Sequence, residues 1–332
     1  MPAISVVVVN YNGAALLEDC LLSLRGQTFR DFEVVLVDNG SVDNSISVAA
    51  SVFPQARCVV LAENVGFAKG SNIGIRQSDG EYVVLLNNDT QAEPTFLEEL
   101  VGTAVDDAQV GMVAPKILDF FDRQRIDSAG GLVMSRDALA QGRGRGERDE
   151  GQYDALTEIL VPSACAALYR REMLNETGLF DESFFMYCED LDLGLRGRWA
   201  GWKAVAAARA VVYHKYSATS SPYSPLKMRL VERNHYLVAL KNFPRRMLLE
   251  VPFWSVCRYA LMARAVVRGD GKGRAAPKGK LLWAFVAGHM GALWRAPAAF
   301  RRRTRVRRVD TREFVALLKR HRLGLGRLIS SD

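Results

Sequence analysis

The chain has 332 residues, 49% of them hydrophobic, enough for one large core or a core with an appendage. Its five cysteines (Cys20, Cys58, Cys165, Cys188, Cys257) form no CxxC pair, which argues against a disulfide scaffold or structural zinc site and fits a reducing compartment. The net charge of +7 is divided: residues 1–244 carry 23 Lys+Arg against 32 Asp+Glu (−9), and residues 245–332 carry 21 against 5 (+16), so an acidic body precedes a basic tail.

The opening "MPAISVVVVNYN" has no basic leader and no long apolar run, and reads as a first strand rather than a signal peptide. Ile4–Tyr11 is a β-branched run typical of a parallel strand buried on both faces. Leu17, Leu21 and Leu24 follow at helical spacing. Phe32–Gly40 and Arg57–Ala62 predict the second and third strands, Gly66–Gln77 a helix, and "EYVVLLNN" a fourth strand. Pro94 marks the first turn of a helix running to about Asp107, and Val110–Pro115 is another strand. This βαβα rhythm predicts a mostly parallel twisted sheet flanked by helices. It breaks after residue 119: "DSAGGLVMS" reads as a hairpin, and Ala140–Gln152, rich in glycine and charge, as an exposed mobile loop. "ILVPSACAALYRR" is a strand entering a helix, and Ala210–His214 a late strand. There are no internal repeats.

Ligands of open α/β sheets bind at the carboxyl ends of the strands. Those ends here carry Asn10, Tyr11 and Asn12; Asp38, Asn39, Gly40 and Ser41, with Asp43 following; Asn64 and Gly66; Asn87, Asn88 and Asp89; and His214. Almost none is basic, so this floor suits nucleobase and ribose recognition plus a cation better than bare phosphate binding. Mg²⁺ or Mn²⁺ needs only one or two protein carboxylates when substrate phosphates supply further oxygens. Asp89 therefore suffices for a metal–diphosphate site, with His214 as a nitrogen ligand that Mn²⁺ accepts more readily. The alternative is that Asn87–Asp89 caps the next helix. Gly66, Gly70 and Gly74 in "ENVGFAKGSNIGI" form one smooth helical face, for close approach of a ligand or for tight packing on the sheet. The absence of GxGxxG after the first strand argues against a nicotinamide-dependent oxidoreductase. Glu189, Asp190 and Asp192 cluster in "YCEDLDLGLR", as a general base with neighbours or as favourable charge at a helix N-terminus.

Six segments in order, "VVVVNYNG", "VVLVDNGSVDNS", "ENVGFAKGSNIGI", "YVVLLNNDT", "GLFDESFFMYCEDLDLGLR" and "VVYH", resemble the family 2 glycosyltransferases, especially their rhamnosyltransferase-like branch of bacterial surface-glycan synthesis. The resemblance covers roughly residues 4–240. It implies a GT-A fold, a nucleotide-sugar donor and glycosyl transfer with inversion. It implies that Asp38 holds the nucleobase, with Asp43 close by and Asn10 lining the pocket. Asn12, Asn64, Gly66, Lys69, Asn72 and Asn88 join the nucleotide-sugar contacts, and Arg233 of "RNHY" approaches the diphosphate. The family's DxD metal motif falls on Asn87–Asn88–Asp89, its first acid replaced by Asn87, which leaves Asp89 and His214 as metal ligands. The base maps to Asp190, and Glu189 and Asp192 to acceptor binding. The donor expected from this branch is dTDP-rhamnose, with UDP-hexoses or a non-catalytic nucleotide-binding role as alternatives.

Residues 1–244 thus form the expected catalytic domain and residues 245–332 a basic amphipathic helical extension. The apolar run Leu281–Trp294 spans 14 residues, too few for a bilayer-crossing helix. Its tryptophans and flanking arginines (Arg295, Arg301, Arg302, Arg303, Arg305, Arg307, Arg308) suggest a peripheral helix on an anionic membrane, here the cytoplasmic face of the plasma membrane beside a polyprenyl-linked glycan acceptor. A packing extension with a solvated basic face is the alternative. No nucleic-acid reader fold is recognisable, so no nucleic-acid partner is expected.

Overall fold

Valine-rich runs become strands here because helices cover both of their faces. The computed structural model describes residues 2–215, 224–268, 278–303, 305–324 and 326–327. It begins with β1 (Ile4–Asn10), α1 (Ala14–Arg25), β2 (Phe32–Asp38), α2 (Ser45–Val52), β3 (Arg57–Val60), α3 (Phe67–Arg76) and β4 (Tyr82–Leu86), the predicted alternation. Then come β5 (Thr90–Ala92), α4 (Phe96–Val105), β6 (Val110–Asp119), β7 (Ile126–Ala129), β8 (Leu132–Met134), β9 (Ala140–Gly142), β10 (Ala166–Arg170), α5 (Arg171–Thr177), α6 (Glu189–Trp199) and β11 (Lys203–His214). Helices α7 (Pro225–Asn242), α8 (Arg245–Arg268), α9 (Lys278–Arg301) and α10 (Thr311–Arg320) complete the chain.

The main sheet has the order β3-β2-β1-β4-β10-β6-β11-β5, with β7 against β6. Its first four strands are parallel, as the rhythm predicts. The second half is mixed: β10 runs antiparallel to both β4 and β6, β11 is parallel to β6, and β5 is antiparallel to β11. Alternate residues of β1 serve different layers: Val6 and Val8 pack with Leu17, Leu21 and Phe96, whereas Val7 packs with Val35, Ala68 and Ile75. The glycine face of α3 is a packing face. A Cβ on Gly74 would lie 2.4 Å from Val7 Cγ1, so only glycine lets α3 sit this close to β1.

Two expectations are corrected. The segment around Gly130 and Gly131 turns, but its arms separate: β7 joins β6, and β8 pairs with β9. Residues 140–152 are not a free loop. Ala129 N donates to Arg143 O (2.9 Å), Ile126 N to Glu147 O (2.9 Å), and Lys116 pairs with Asp149 (3.0 Å). The exposed edge of β7 needs backbone partners, and this glycine-rich stretch supplies them.

Residues 245–332 share a core with the body. Trp199 of α6 stacks on Phe314 of α10 (centroids 3.8 Å apart, 14° between planes), and Val251 and Ala299 enter the same cluster as Leu195 and Val238. Arg258 of α8 is 1% exposed and bonds Asp137 (2.7 Å) and Glu232 (3.0 Å). The composition boundary at residue 244 is therefore not a boundary between cores. No described helix is long and apolar enough to cross a membrane. Arg258→Ala would leave two carboxylates buried without their partner, and urea unfolding should show a loss of about 3–5 kcal/mol.

Candidate active site

The parallel register places β1 and β2 side by side with Asn10 opposite Asp38. Asn10 Nδ2 donates to Asp38 Oδ1 (3.3 Å), and Asn10 Oδ1 accepts from Asn88 Nδ2 (2.7 Å), so three strand ends are tied into one floor. Asp38 Oδ2 accepts from Ser41 N (3.1 Å), and Asn12 Oδ1 from Val42 N (2.8 Å). Asp43 Oδ2 accepts from Ala14 N (3.0 Å). Desolvation raises the Asp43 pKa, but the Ser45 hydroxyl and the Ala14 and Ser45 amides together outweigh it and hold the carboxyl below the ordinary range. Asn64 Oδ1 accepts from Asn39 Nδ2 (3.1 Å) and Gly66 N (2.9 Å). Lys69 is exposed on α3. Asn72 faces elsewhere: it is buried and clamps Phe180, donating to its carbonyl (2.8 Å) and accepting from its amide (3.0 Å). That engagement holds residues 180–182 against α3 and takes Asn72 out of the expected nucleotide contacts.

The metal expectation falls where the mixed half of the sheet meets β4. Strand β11 pairs with β5 so that His214 lies opposite Thr90, next to Asp89. His214 Nε2 is 3.4 Å from Asp89 Oδ1, and its Nδ1 is 2.7 Å from Asp127 Oδ2. Burial disfavours the imidazolium, yet Cys165, Asp127 and Asp89 together raise its proton affinity well above the ordinary value. Asp89 is 5% exposed, and its Oδ1 has no hydrogen-bond partner among the described residues. An imidazole oriented by a carboxylate on one nitrogen and facing a second carboxylate oxygen with the other offers donor atoms of the kind that bind a divalent metal. Among the described residues no cluster of three or more such groups surrounds one point. The pair therefore fits a divalent ion that completes its shell with substrate oxygens and water. Asp127, on β7, was not legible in the sequence, because no spacing links it to His214, 87 residues away.

The acid cluster divides. Glu189 and Asp190 open α6. Asp190 Oδ2 accepts from Ala164 N (3.1 Å) and Oδ1 from Leu191 N (2.8 Å); Glu189 Oε2 is buried with no hydrogen-bond partner among the described residues. Burial raises the proton affinity of both, and the charge of Asp190 raises that of Glu189 further. Asp192 points the other way. It is fully buried and accepts from Lys241 Nζ (2.7 Å), Arg196 Nε (3.0 Å) and Asn242 Nδ2 (2.8 Å), so the acceptor-binding expectation is replaced by an internal ion-pair network. Arg233 donates to Phe184 O (2.7 Å) and Asn234 Oδ1 (2.8 Å). Burial, with Arg295 and Arg229 nearby, lowers its pKa to about 10.

The chain as a whole is matched by known proteins. Residues 5–178 match the family described as "Glycosyl transferase family 2". The chain belongs to that family. A Mycobacterium tuberculosis protein named N-acetylglucosaminyl-diphospho-decaprenol L-rhamnosyltransferase is 30% identical over 235 residues, 64% of this chain and 76% of the relative. The O-antigen biosynthesis protein RfbC of Myxococcus xanthus is 31% identical over 230 residues, 66% of this chain but 18% of that protein. Two solved structures share the fold: S. aureus TarS 1–349 in complex with UDP (TM-score 0.55, 17% identity, 98% of this chain and 90% of that one) and the mannosyltransferase PcManGT from Pyrobaculum calidifontis with GDP-Man and Mn²⁺ (TM-score 0.55, 19% identity, 88% and 87%). The GT-A fold implied by the sequence motifs is thereby borne out, and this family 2 member is a glycosyltransferase.

For the Asp192 network the sign of a pH effect is fixed. Burial raises the Asp192 pKa, but Lys241, Arg196 and Asn242 outweigh it and hold it below the usual value. A depressed carboxylate stabilises fully above its unfolded pKa of about 3.9 and loses that stabilisation as the pH falls below it. In urea unfolding across pH 2–6, Asp192→Asn should be less stable at pH 6 by several kcal/mol and should lose less stability than the wild type on acidification.

Proposed function

We propose that this glycosyltransferase moves L-rhamnose from dTDP-rhamnose, with inversion, to a hydroxyl of a polyprenyl-diphosphate-linked glycan. One observation carries the reading. Asp190 and the Asn87–Asp89 strand end grip adjacent residues of a single segment: Ala164 N donates to Asp190 Oδ2 (3.1 Å), and Asn87 N donates to Cys165 O (2.8 Å). A carboxylate suited to accept a proton and the strand end that carries a carboxylate suited to a cation are thus both held against Ala164–Cys165, which supports reading them as parts of one site. The name of the mycobacterial relative supports the sugar and the acceptor class.

In this reading Asp38, Asn10, Asn12 and Asp43 hold the nucleoside, and Asn64, Gly66, Lys69 and Asn88 border the sugar-diphosphate. Asp89 and His214 would hold Mg²⁺ or Mn²⁺, which supplies positive charge beside the leaving diphosphate. Glu189 borders the acceptor. The acceptor oxygen forms its bond to the anomeric carbon opposite the breaking bond to dTDP, which inverts the centre. The bonding electron pair leaves with dTDP, and the hydroxyl proton passes to Asp190. The raised proton affinity of Asp190 suits a base stronger than an ordinary carboxylate. Holding donor and acceptor in line contributes on the order of 7–11 kcal/mol by itself.

The test is transfer from dTDP-rhamnose to an N-acetylglucosaminyl-diphospho-polyprenol in detergent. Wild type should add one rhamnose. Asp190→Asn should lose about 10²–10⁴-fold in turnover while still binding dTDP-rhamnose. Transfer from UDP- or GDP-sugars alone would overturn the donor, and near-normal turnover of Asp190→Asn would remove it as the base.

The tail supports a membrane-side acceptor. On α9, Leu282, Trp283, Val286, Met290, Leu293 and Trp294 are exposed at helical spacing, with Trp294 88% exposed. Leu249, Phe253 and Val256 are exposed on α8. Arg246, Lys280, Arg295 and Arg301 are exposed near these apolar side chains, matching an anionic lipid surface at about 1 kcal/mol per basic residue. This would place the protein on the cytoplasmic face of the plasma membrane. Co-sedimentation should show binding to anionic but not zwitterionic vesicles, weakened at least about tenfold by Trp283→Ser with Trp294→Ser. Equal binding to DNA, or none to vesicles, would reject this surface.

A further inference from the structure

The segment leading into the two acids has an unusual backbone. Phe185 (φ 67°), Tyr187 (φ 69°) and Cys188 (φ 66°) all take positive φ, a region that sterics disfavour for residues with a Cβ. Phe185, with ψ −65°, forms a γ-turn of the rare strained hand, closed by Met186 N donating to Phe184 O (2.9 Å). Phe184–Cys188 contains no glycine to relieve this conformation. Such a backbone persists only where its surroundings over-determine it.

The surroundings are one buried side chain and its neighbours. Asn234 of α7 is 0% exposed. Its Nδ2 lies 3.1 Å from Phe184 O, 2.9 Å from Met186 O and 2.8 Å from Tyr187 O. Its Oδ1 accepts from Arg233 Nε (2.8 Å), and the Arg233 guanidinium also donates to Phe184 O (2.7 Å). The remaining carbonyl, Phe185 O, accepts from Ala68 N at the start of α3 (3.0 Å). Four consecutive carbonyls are thus bonded, three of them by one amide. An amide suits this place because it turns donors to the carbonyls and its oxygen to an arginine. Aspartate would turn oxygen toward oxygen. On the donor-facing side the fit is equally close, since a Cβ on Gly66 would lie 2.6 Å from Phe185 O.

We propose that Asn234 is a positioning residue for transfer, holding the left-handed arc Phe185–Cys188 that sets the direction of Asp190. The inference rests on the reading of Asp190 as the base. The left-handed Cys188 is the N-cap of α6, whose first two residues are Glu189 and Asp190. The arc therefore decides where α6 starts and how its first turn presents both acids. Asn234 is fully buried and hydrogen-bonds the carbonyls of the arc and the Arg233 side chain, so it acts through Asp190 and not on the substrate.

The test uses the full chain, dTDP-rhamnose and the same lipid-linked acceptor under single-turnover conditions, with active sites counted by donor binding. Asn234→Ala should lower the transfer rate per donor-binding site about a hundredfold, the effect expected of a misplacement near 1 Å. Donor affinity should stay within about threefold of wild type. So that a folding defect does not hide the answer, Asn234→Ala is also combined with Cys188→Gly. Glycine accepts the left-handed conformation unaided, and this pair should regain about tenfold of the lost rate. In the Asp190→Asn background Asn234→Ala should add less than about a threefold further loss, because its effect runs through Asp190. An unchanged rate per donor-binding site in Asn234→Ala would overturn the proposal, as would a full additional hundredfold loss in the Asp190→Asn background. Failure of the Asp190 reading appears separately, as near-normal turnover of Asp190→Asn alone.

Discussion

A buried carboxylate just past a sheet strand, paired with an imidazole that a second carboxylate holds in place, is the interaction on which the mixed half of this sheet converges. Asp89 is 5% exposed, and the nearest cationic partner of its Oδ1 is His214 Nε2 at 3.4 Å. A buried carboxylate needs a compensating partner, and the imidazole stands where it supplies one. Several features of the fold serve this placement. Strand β10 runs antiparallel against β4, and the residue before β10, Cys165, takes the Asn87 amide. Strand β11 is joined to β5 so that His214 arrives beside Asp89, while Asp127 fixes the ring from the other nitrogen. The mixed half of the sheet, which an all-parallel arrangement would lack, brings these three side chains together.

The strand-end floor and the acid pair are linked through the backbone of Ala164–Cys165 and of Phe185. Residues Ala164 and Cys165 lie between Asp190 and Asn87, and Phe185 lies between α3 and α6. The two halves of the site therefore share rigid neighbours. The 183–188 segment is anchored to the start of α3 by the amide of Ala68 and leads directly into the N-cap of α6. Sites that need alignment to a fraction of an ångström are held by such supporting contacts.

The basic tail divides its charges between two uses. Arg258 neutralises buried Asp137 and Glu232, Arg302 pairs with Asp181, Arg303 caps the carbonyls of Leu240 and Phe243, Arg307 lies over the Trp199 ring, and Arg308 pairs with Glu176. Much of what reads as a polybasic run is thus a strap across the acidic body. The exposed apolar residues of α8 and α9, with the basic residues around them, are the surface this strap leaves open.

Much of this protein was legible in its sequence. Val-rich runs at βα spacing determined the first half of the sheet, because a parallel strand covered on both faces must be apolar at nearly every position. The amides and acids Asn10, Asp38, Asn88 and Asp89 stood out as polar groups at the ends of apolar strands, and Asn10, Asp38 and Asn88 hydrogen-bond one another there. Other features were decided only by tertiary structure. Asp127 meets His214, and Asn234 meets the Phe184–Tyr187 carbonyls, across separations that no local period encodes. Glu189, Asp190 and Asp192 read as one cluster, yet a helix turns about 100° per residue, so Asp192 faces Lys241 and the interior while Asp190 faces Ala164. Periodicity and composition report which face a residue prefers; which partner waits on that face is set by how the elements close on one another.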